Sequence, residues 1–340
     1  MNNKKVFEGT TAISDFLTPG ALGPTPLIEL PSSLNPFTKD KVRIFVKLTQ
    51  FVPLSNIKSL SAWQMLSKMD SATRKKTKHL IEYSSGNTVL SLAILSKHFG
   101  IENMHAIITP DVPEHKKRLL RLVGAELLIS HGNPSPGVFD TEGGIYDAKM
   151  MDQKEGWYNL HQYINQNNPK ASEEYIGKEL WKQLGNKLSI FAASIGTAGT
   201  ILGAGSYLKK KNKNIFIAGA SIKRGSSIPG PRGEDAIPKL GFKWESTVDK
   251  TYPIDTFSAF SNSLDLIRQG LFVGPSTGMQ LAMVKIMLAE MKKKKQLDTH
   301  RNKNGEVVIA FIACDTMFTY IDEYFAVLPK KYFKEDKNLK

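Results

Sequence analysis

Short apolar runs of strand length alternate with longer segments in which apolar residues recur every three or four positions, through most of the 340 residues. Runs at 42–46, 104–108, 126–129, 188–193, 215–219 and 307–314 predict strands. The segments 59–69, 88–98, 113–123, 172–184, 200–210, 256–268 and 278–291 predict amphipathic helices between them. Strands separated by helices need crossover connections, so the pattern predicts an α/β fold of mostly parallel, twisted sheets covered by helices. Pro113 at a first helical turn and Gly124 just past a last one mark one helix independently. The Pro/Gly/Ser-rich stretches 132–137 and 225–233 read as loops, and the second is long enough to fold over a site.

With 41% hydrophobic residues the chain can bury a sizeable core. Its apolar runs fall far short of the roughly 20 residues of a membrane span, and its first residues lack an apolar signal region, so a cytoplasmic protein is expected. One cysteine, Cys314, excludes an internal disulfide and a multi-cysteine metal site, and its neighbours Phe311, Ile312 and Ala313 suggest a core strand. No metal is expected. The net charge of +14 raises the question of nucleic acid, since clustered cations gain affinity by releasing phosphate counterions. The lysine runs at 209–211 and 292–295, however, fall at the expected C-terminal ends of helices, where cations favour the dipole. No zinc-finger spacing, aromatic RNA-binding signature or heptad repeat accompanies them, so neither nucleic acid nor a membrane is an expected partner.

Four segments carry candidate chemistry. Residues 51–59 form a turn-rich passage into a helix, with Lys58 at its start. The helix dipole does not favour a cation there, so Lys58 is either simply solvated or consumed as an imine to an aldehyde cofactor. Ser84-Ser85-Gly86-Asn87-Thr88 is a hydroxyl-rich helix N-terminus, which offers free N–H groups and hydroxyls to a carboxylate or merely caps its helix through Ser85 or Asn87. Gly196-Thr197-Ala198-Gly199-Thr200 follows a predicted strand directly and opens a helix. It lacks the Gly-Lys-Ser/Thr ending of a nucleotide loop, so a single phosphate is its best ligand. In Gly274-Pro275-Ser276-Thr277-Gly278, either Ser276 or Thr277 is the expected N-cap.

In order and spacing these segments resemble the cysteine synthase and cystathionine β-synthase family of fold type II pyridoxal-phosphate enzymes. The likeness runs from Gly23-Pro24-Thr25-Pro26-Leu27-Ile28 to about Asp315. It implies pyridoxal 5'-phosphate as cofactor and Lys58 as its anchor and the general base of the reaction. It also implies that Ser84, Ser85, Gly86, Thr88 and Gln162 bind the substrate carboxylate. Asn87 would face the cofactor's phenolic oxygen, residues Gly196, Thr197, Ala198, Gly199 and Thr200 its phosphate, and Ser276 its pyridine nitrogen.

The fold implied has a smaller substrate-binding domain at residues 49–159 and a larger cofactor-binding one at 1–48 and 160–340, and the family expectation is a homodimer. The leading activity implied is O-acetylserine plus sulfide to cysteine plus acetate. Close alternatives are cysteine desulfhydration, cystathionine or lanthionine synthesis, and diaminopropionate-type synthesis. The partners are then an amino-acid substrate and a small nucleophile. A non-catalytic module that binds the cofactor or a partner is the alternative of another class, and retention of Lys58, Asn87 and Ser276 together argues against it.

The chain departs from the family pattern at Leu54-Ser55, where Gly-Gly is usual, at Ser59 in place of aspartate, and at Ala198 in place of glycine. It departs again at Ala220-Ser221-Ile222 and at Asp315-Thr316-Met317-Phe318-Thr319. Apart from Ala198, these changes are expected on the substrate side of the site, which leaves the particular substrate open.

Overall fold

The computed structural model describes residues 5–334. Ten strands are present among them: β1 (Leu27–Glu29), β2 (Val42–Lys47), β3 (His79–Tyr83), β4 (Asn103–Ile108), β5 (Ala125–Ile129), β6 (Trp157–Asn159), β7 (Ile190–Ser194), β8 (Phe216–Ile222), β9 (Lys250–Ile254) and β10 (Val307–Ile312). They form a six-stranded sheet in the order β1-β2-β10-β7-β8-β9 and a four-stranded sheet in the order β5-β4-β3-β6. Every neighbouring pair is parallel except β1 with β2. The predicted α/β architecture is what forms.

The helices are α1 (Ala12–Leu17), α2 (Lys58–Ser67), α3 (Ser71–Lys76), α4 (Asn87–His98), α5 (Glu114–Leu122), α6 (Gly144–Met151), α7 (Asn167–Ser172), α8 (Lys178–Leu184), α9 (Gly199–Lys211), α10 (Thr256–Arg268), α11 (Pro275–Lys293) and α12 (Ile321–Val327). They cover both faces of both sheets. Met279, Met283, Met287 and Phe260 of α10 and α11 pack on one face of the large sheet. Ala171, Leu180, Ile201 and Leu208 of α7, α8 and α9 pack on the other. The small sheet is held between Met65, Leu92 and Leu120 of α2, α4 and α5 and, behind it, Ile145 and Ala148 of α6. Strands covered on both faces read as near-continuous apolar runs, and all six residues of β10, Val-Val-Ile-Ala-Phe-Ile, are buried.

Several boundaries differ from the sequence reading. The strand predicted at 307–314 ends at Ile312, so Cys314 lies just beyond the sheet. The helix predicted at 172–184 is interrupted by a π turn at Glu173–Gly177, and Ala171, Ile176 and Leu180 still pack into one apolar cluster. Strand β3 was not predicted: His-Leu-Ile-Glu-Tyr holds a glutamate, whose buried carboxyl accepts from the backbone N–H groups of Tyr83 and Gln162. Strands β1 and β6 have only three residues each, and β9 carries Pro253 at the sheet edge.

Candidate active site

Three passages leave the C-terminal ends of parallel strands β3, β7 and β10 and turn toward one another. Ligands of open α/β sheets bind at such strand ends. The passage from β2 to α2 brings in Lys58. Two short turns, Thr49–Phe51 and Pro53–Ser55, precede it. Asn56 then fixes the approach: its Nδ2 donates to Leu54 O at 2.7 Å, while its Oδ1 accepts from Ser59 N at 3.2 Å and Ser91 Oγ at 3.1 Å. Ile57 N donates to Cys314 O at 2.7 Å, and Asn56 bridges to Asp315. The anchor turn is thereby tied to the end of β10.

Lys58 begins α2, is half-buried, and its amine enters no ion pair or hydrogen bond among the described residues. Burial pulls its pKa below the usual lysine value, against the opposing pull of Cys314 and Glu82. Glu82, one residue from the end of β3, is 2% exposed and its carboxyl is pushed up to about 7 by burial. Sequence reasoning missed it, since β3 itself was not predicted.

The turn at 84–88 opens α4, whose N-cap is Gly86 and neither Ser85 nor Asn87, with no side-chain cap bond. Ser84 and Ser85 are half-buried and Thr88 is buried. Thr88 Oγ1 donates to Gln162 Oε1 at 2.9 Å, and Gln162 Nε2 donates to Tyr83 O at 3.1 Å. Gln162 N donates in turn to Glu82 Oε2 at 3.1 Å. The chain of bonds continues through Asn168, whose Nδ2 donates to Gln162 O at 2.6 Å and to Thr197 Oγ1 at 2.9 Å. Two predicted groups, the 84–88 turn and the 196–200 loop, are thus joined by Gln162 and by Asn168, which the sequence reading did not identify.

The 196–200 loop links β7 to α9. Ala198 is the N-cap of α9 at φ 67° and ψ −4°, a left-handed conformation that favours glycine. The chain therefore keeps the backbone of a glycine there while carrying a methyl group. Gly199 cannot be replaced in the same way, because a Cβ would lie 2.3 Å from Asn168 Oδ1. The loop at 225–233 lies against this segment: Arg232 N donates to Ile195 O at 2.8 Å, and Arg232 Nη1 donates to Pro136 O at 2.7 Å. The two Pro/Gly/Ser-rich loops meet through that guanidinium, which stacks 4.7 Å from the centre of the Tyr163 ring.

Ser276 is buried in the first turn of α11. The N-cap is Gly274 and Pro275 follows it, so neither Ser276 nor Thr277 is the cap that the sequence suggested. The Cys314 thiol sits among Ser276, Gln280 and Ser194, and burial pushes it up to about 11, which leaves it protonated at neutral pH. Asp315 Oδ2 accepts from Asn87 Nδ2 at 2.6 Å, so this departure from the family pattern touches a residue read as a cofactor contact. A cavity of about 270 Å³ lined by Glu82, Ile145, His161 and Tyr163 leaves out Lys58, Ser276 and residues 196–200. The strand ends, not this cavity, bring the candidate residues together.

These residues fit pyridoxal phosphate. The first N–H groups of α9 have no partner within their helix and suit a phosphate dianion, with Thr197 and Thr200 beside them. A neutral-prone, unpaired amine at Lys58 suits an aldehyde, and a neutral hydroxyl at Ser276 suits an unprotonated pyridine nitrogen.

Comparison with known proteins agrees. The family described as pyridoxal-phosphate dependent enzyme matches residues 19–300. A cysteine synthase of Aquifex aeolicus is 31% identical over 278 residues, 80% of this chain and 83% of that protein. Cysteine synthase B of Salmonella typhimurium is 30% identical over 302 residues, 88% of this chain and 92% of that one. The crystal structure of O-acetyl serine sulfhydrylase isoform 3 from Entamoeba histolytica superposes with a TM-score of 0.75 at 22% identity, over 97% of this chain and 95% of that one. With its motifs, its strand-end geometry and a family match across most of its length, the chain belongs to the pyridoxal-phosphate-dependent enzymes, in the cysteine synthase-like group.

Proposed function

We propose that the protein replaces the β-substituent of a serine-like amino acid, with O-acetylserine and sulfide as substrates and cysteine and acetate as products. The observation that carries this reading is Lys58, a half-buried amine without a counter-ion, clamped between the ends of β10 and α2. When bound, pyridoxal phosphate supplies the electron-withdrawing system that lets an amino acid's Cα–H bond ionise. The N-terminus of α4, with Ser84, Ser85, Gly86 and Thr88, receives the substrate carboxylate, and Gln162 holds Thr88 in place. Freed Lys58 Nζ takes the Cα proton, which needs a neutral amine and is favoured by burial. Acetate then leaves Cβ with its electron pair, sulfide adds at Cβ, and Lys58 returns the proton to Cα.

Asn87, Ser276 and residues 196–200 hold the cofactor in this reading. A neutral serine at the ring nitrogen does not enforce its protonation, which favours prompt departure of the β-group over transamination. Residues 49–159 act as a smaller domain that moves on substrate binding, and the four-stranded sheet, built from residues 79–159, supports that division. The working form is a cytoplasmic homodimer. The exposed apolar side chains Phe272, Phe318, Ile321 and Phe325 offer surface for a second copy. Turnover of a panel of β-substituted alanines with sulfide, thiols and amines tests the substrate assignment: cysteine formation from O-acetylserine should be fastest, and a faster reaction with another pair would replace it.

A further inference from the structure

Asp315 follows β10 at 5% exposure, and its two oxygens have unequal surroundings. Oδ2 accepts from Asn87 Nδ2 at 2.6 Å and from the Tyr320 hydroxyl at 2.6 Å. Oδ1 is buried and has no hydrogen-bond partner among the described residues. It faces Gly274, where a Cβ would lie only 2.2 Å from Oδ1. The carboxyl is therefore held by α4 and by the turn just before α12, with the backbone at the start of α11 close against it.

An ionised carboxylate can only accept hydrogen bonds, so a 2.6 Å contact from Asn87 requires the amide nitrogen, not the amide oxygen, to face Asp315. That fixes the amide plane. One N–H is committed to Asp315, and the other is left for a second acceptor. An unmatched buried oxygen is destabilising, so fold stability alone does not account for a carboxyl here. Orientation of Asn87 does.

We propose that Asp315, held by Tyr320, is a positioning residue that sets the Asn87 amide so that its second N–H faces the cofactor's phenolic oxygen. This rests on the reading of Asn87 as a cofactor contact. Burial raises the carboxyl to about 6, so at neutral pH the acceptor-only form prevails. The same segment is tied to the anchor turn through Ile57 N and Cys314 O, which couples the Asn87 contact to the placement of Lys58.

The test uses the holoenzyme of wild type, Asp315→Asn, Asn87→Ala and the double variant. Cofactor dissociation is measured by equilibrium dialysis, and the visible absorption band is titrated with pH. The amide introduced by Asp315→Asn can donate as well as accept, so the Asn87 amide is free to flip. Asp315→Asn should weaken cofactor binding by about tenfold and move the absorption midpoint in the same direction as Asn87→Ala. The double variant should be no weaker than Asn87→Ala alone. Wild-type affinity and midpoint in Asp315→Asn, or a loss that adds in full to that of Asn87→Ala, would overturn the proposal. Should Asp315→Asn fail to fold, Tyr320→Phe keeps the carboxylate and removes one of its two donors. A smaller shift in the same direction supports the proposal, and an unchanged band contradicts it. A wild-type protein that gains no visible band with pyridoxal phosphate would overturn both this inference and the cofactor reading beneath it.

Discussion

Leu54 and Ser55 follow one another in the left-handed region, at φ 66° and 54°, two and one residues before the Asn56 that fixes the Lys58 turn. The family pattern has glycines at these two positions, and the backbone retains the glycine conformation after the glycines are gone. Left-handed geometry costs a residue with a Cβ roughly 1–2 kcal/mol, so the approach to Lys58 is strained. Ser55 is exposed and loses no packing when truncated. Ser55→Gly should therefore raise stability by about 0.5–1 kcal/mol in urea unfolding, after the greater freedom of glycine in the unfolded chain is set against the relieved strain. A loss of stability would show that the positive φ is not strained here.

Gly199→Ala should fail where Ala198 succeeds. Its methyl group would overlap the Asn168 amide, at 2.3 Å from Oδ1, and so break the bonds from Asn168 to Thr197 and Gln162. Cofactor affinity should fall by about tenfold or more in dialysis, with the midpoint of thermal unfolding also lowered. Unchanged affinity would mean that the 196–200 loop does not carry the phosphate.

Ser85 and Thr88 should separate binding from stability. Ser85 is half-buried with no side-chain partner, whereas Thr88 Oγ1 supports Gln162. Ser85→Ala should keep the fold and weaken substrate binding by about tenfold, since hydrogen bonds to a charged carboxylate contribute roughly 1.5–3 kcal/mol. Thr88→Val should in addition destabilise the protein by about 1–3 kcal/mol, because it leaves Gln162 Oε1 buried without its donor. Equal effects of both variants on stability would contradict this division.

Glu82 makes stability fall as pH rises. Its folded pKa of about 7 lies above the ordinary 4.5, so the folded protein holds this proton more tightly than the unfolded chain does. Between those two values the native state binds more protons, and the unfolding free energy declines with pH by an amount that approaches about 3 kcal/mol above pH 7. Glu82→Gln removes this slope. Denaturant unfolding at pH 5 and pH 7.5 should show a smaller difference between the two pH values in the variant than in wild type; equal differences would exclude Glu82 as the source.

Much of the fold was legible because buried parallel strands are largely apolar and several helices carry an apolar stripe, as β10 and α10 do, whereas the first half of α11 is buried all round. Lys58, Asn87 and the 196–200 loop stood out only because their order and spacing resemble a known family's; read singly, each is a solvated side chain, a helix start or a plain strand-to-helix turn. Glu82 was hidden because a glutamate inside a five-residue strand looks like a surface residue until its backbone donors are seen. Asn168 and Asp315 were hidden for a different reason: each acts across a long sequence separation, on Thr197 and Asn87, and nothing local marks them. The caps at Gly86 and Gly274 were misplaced because serine, threonine and asparagine nearby have the stronger capping preference; the Thr277 hydroxyl instead accepts from Cys314 N.

Every proposed role in the site depends on Lys58 as the residue that carries the cofactor. The purified protein, loaded with pyridoxal phosphate and reduced with borohydride, should yield one modified peptide on digestion and mass mapping, with the pyridoxyl group on Lys58. Lys58→Ala should yield none and show no band from the covalently held cofactor. Modification of a different lysine, or an unaltered band in Lys58→Ala, would contradict the account.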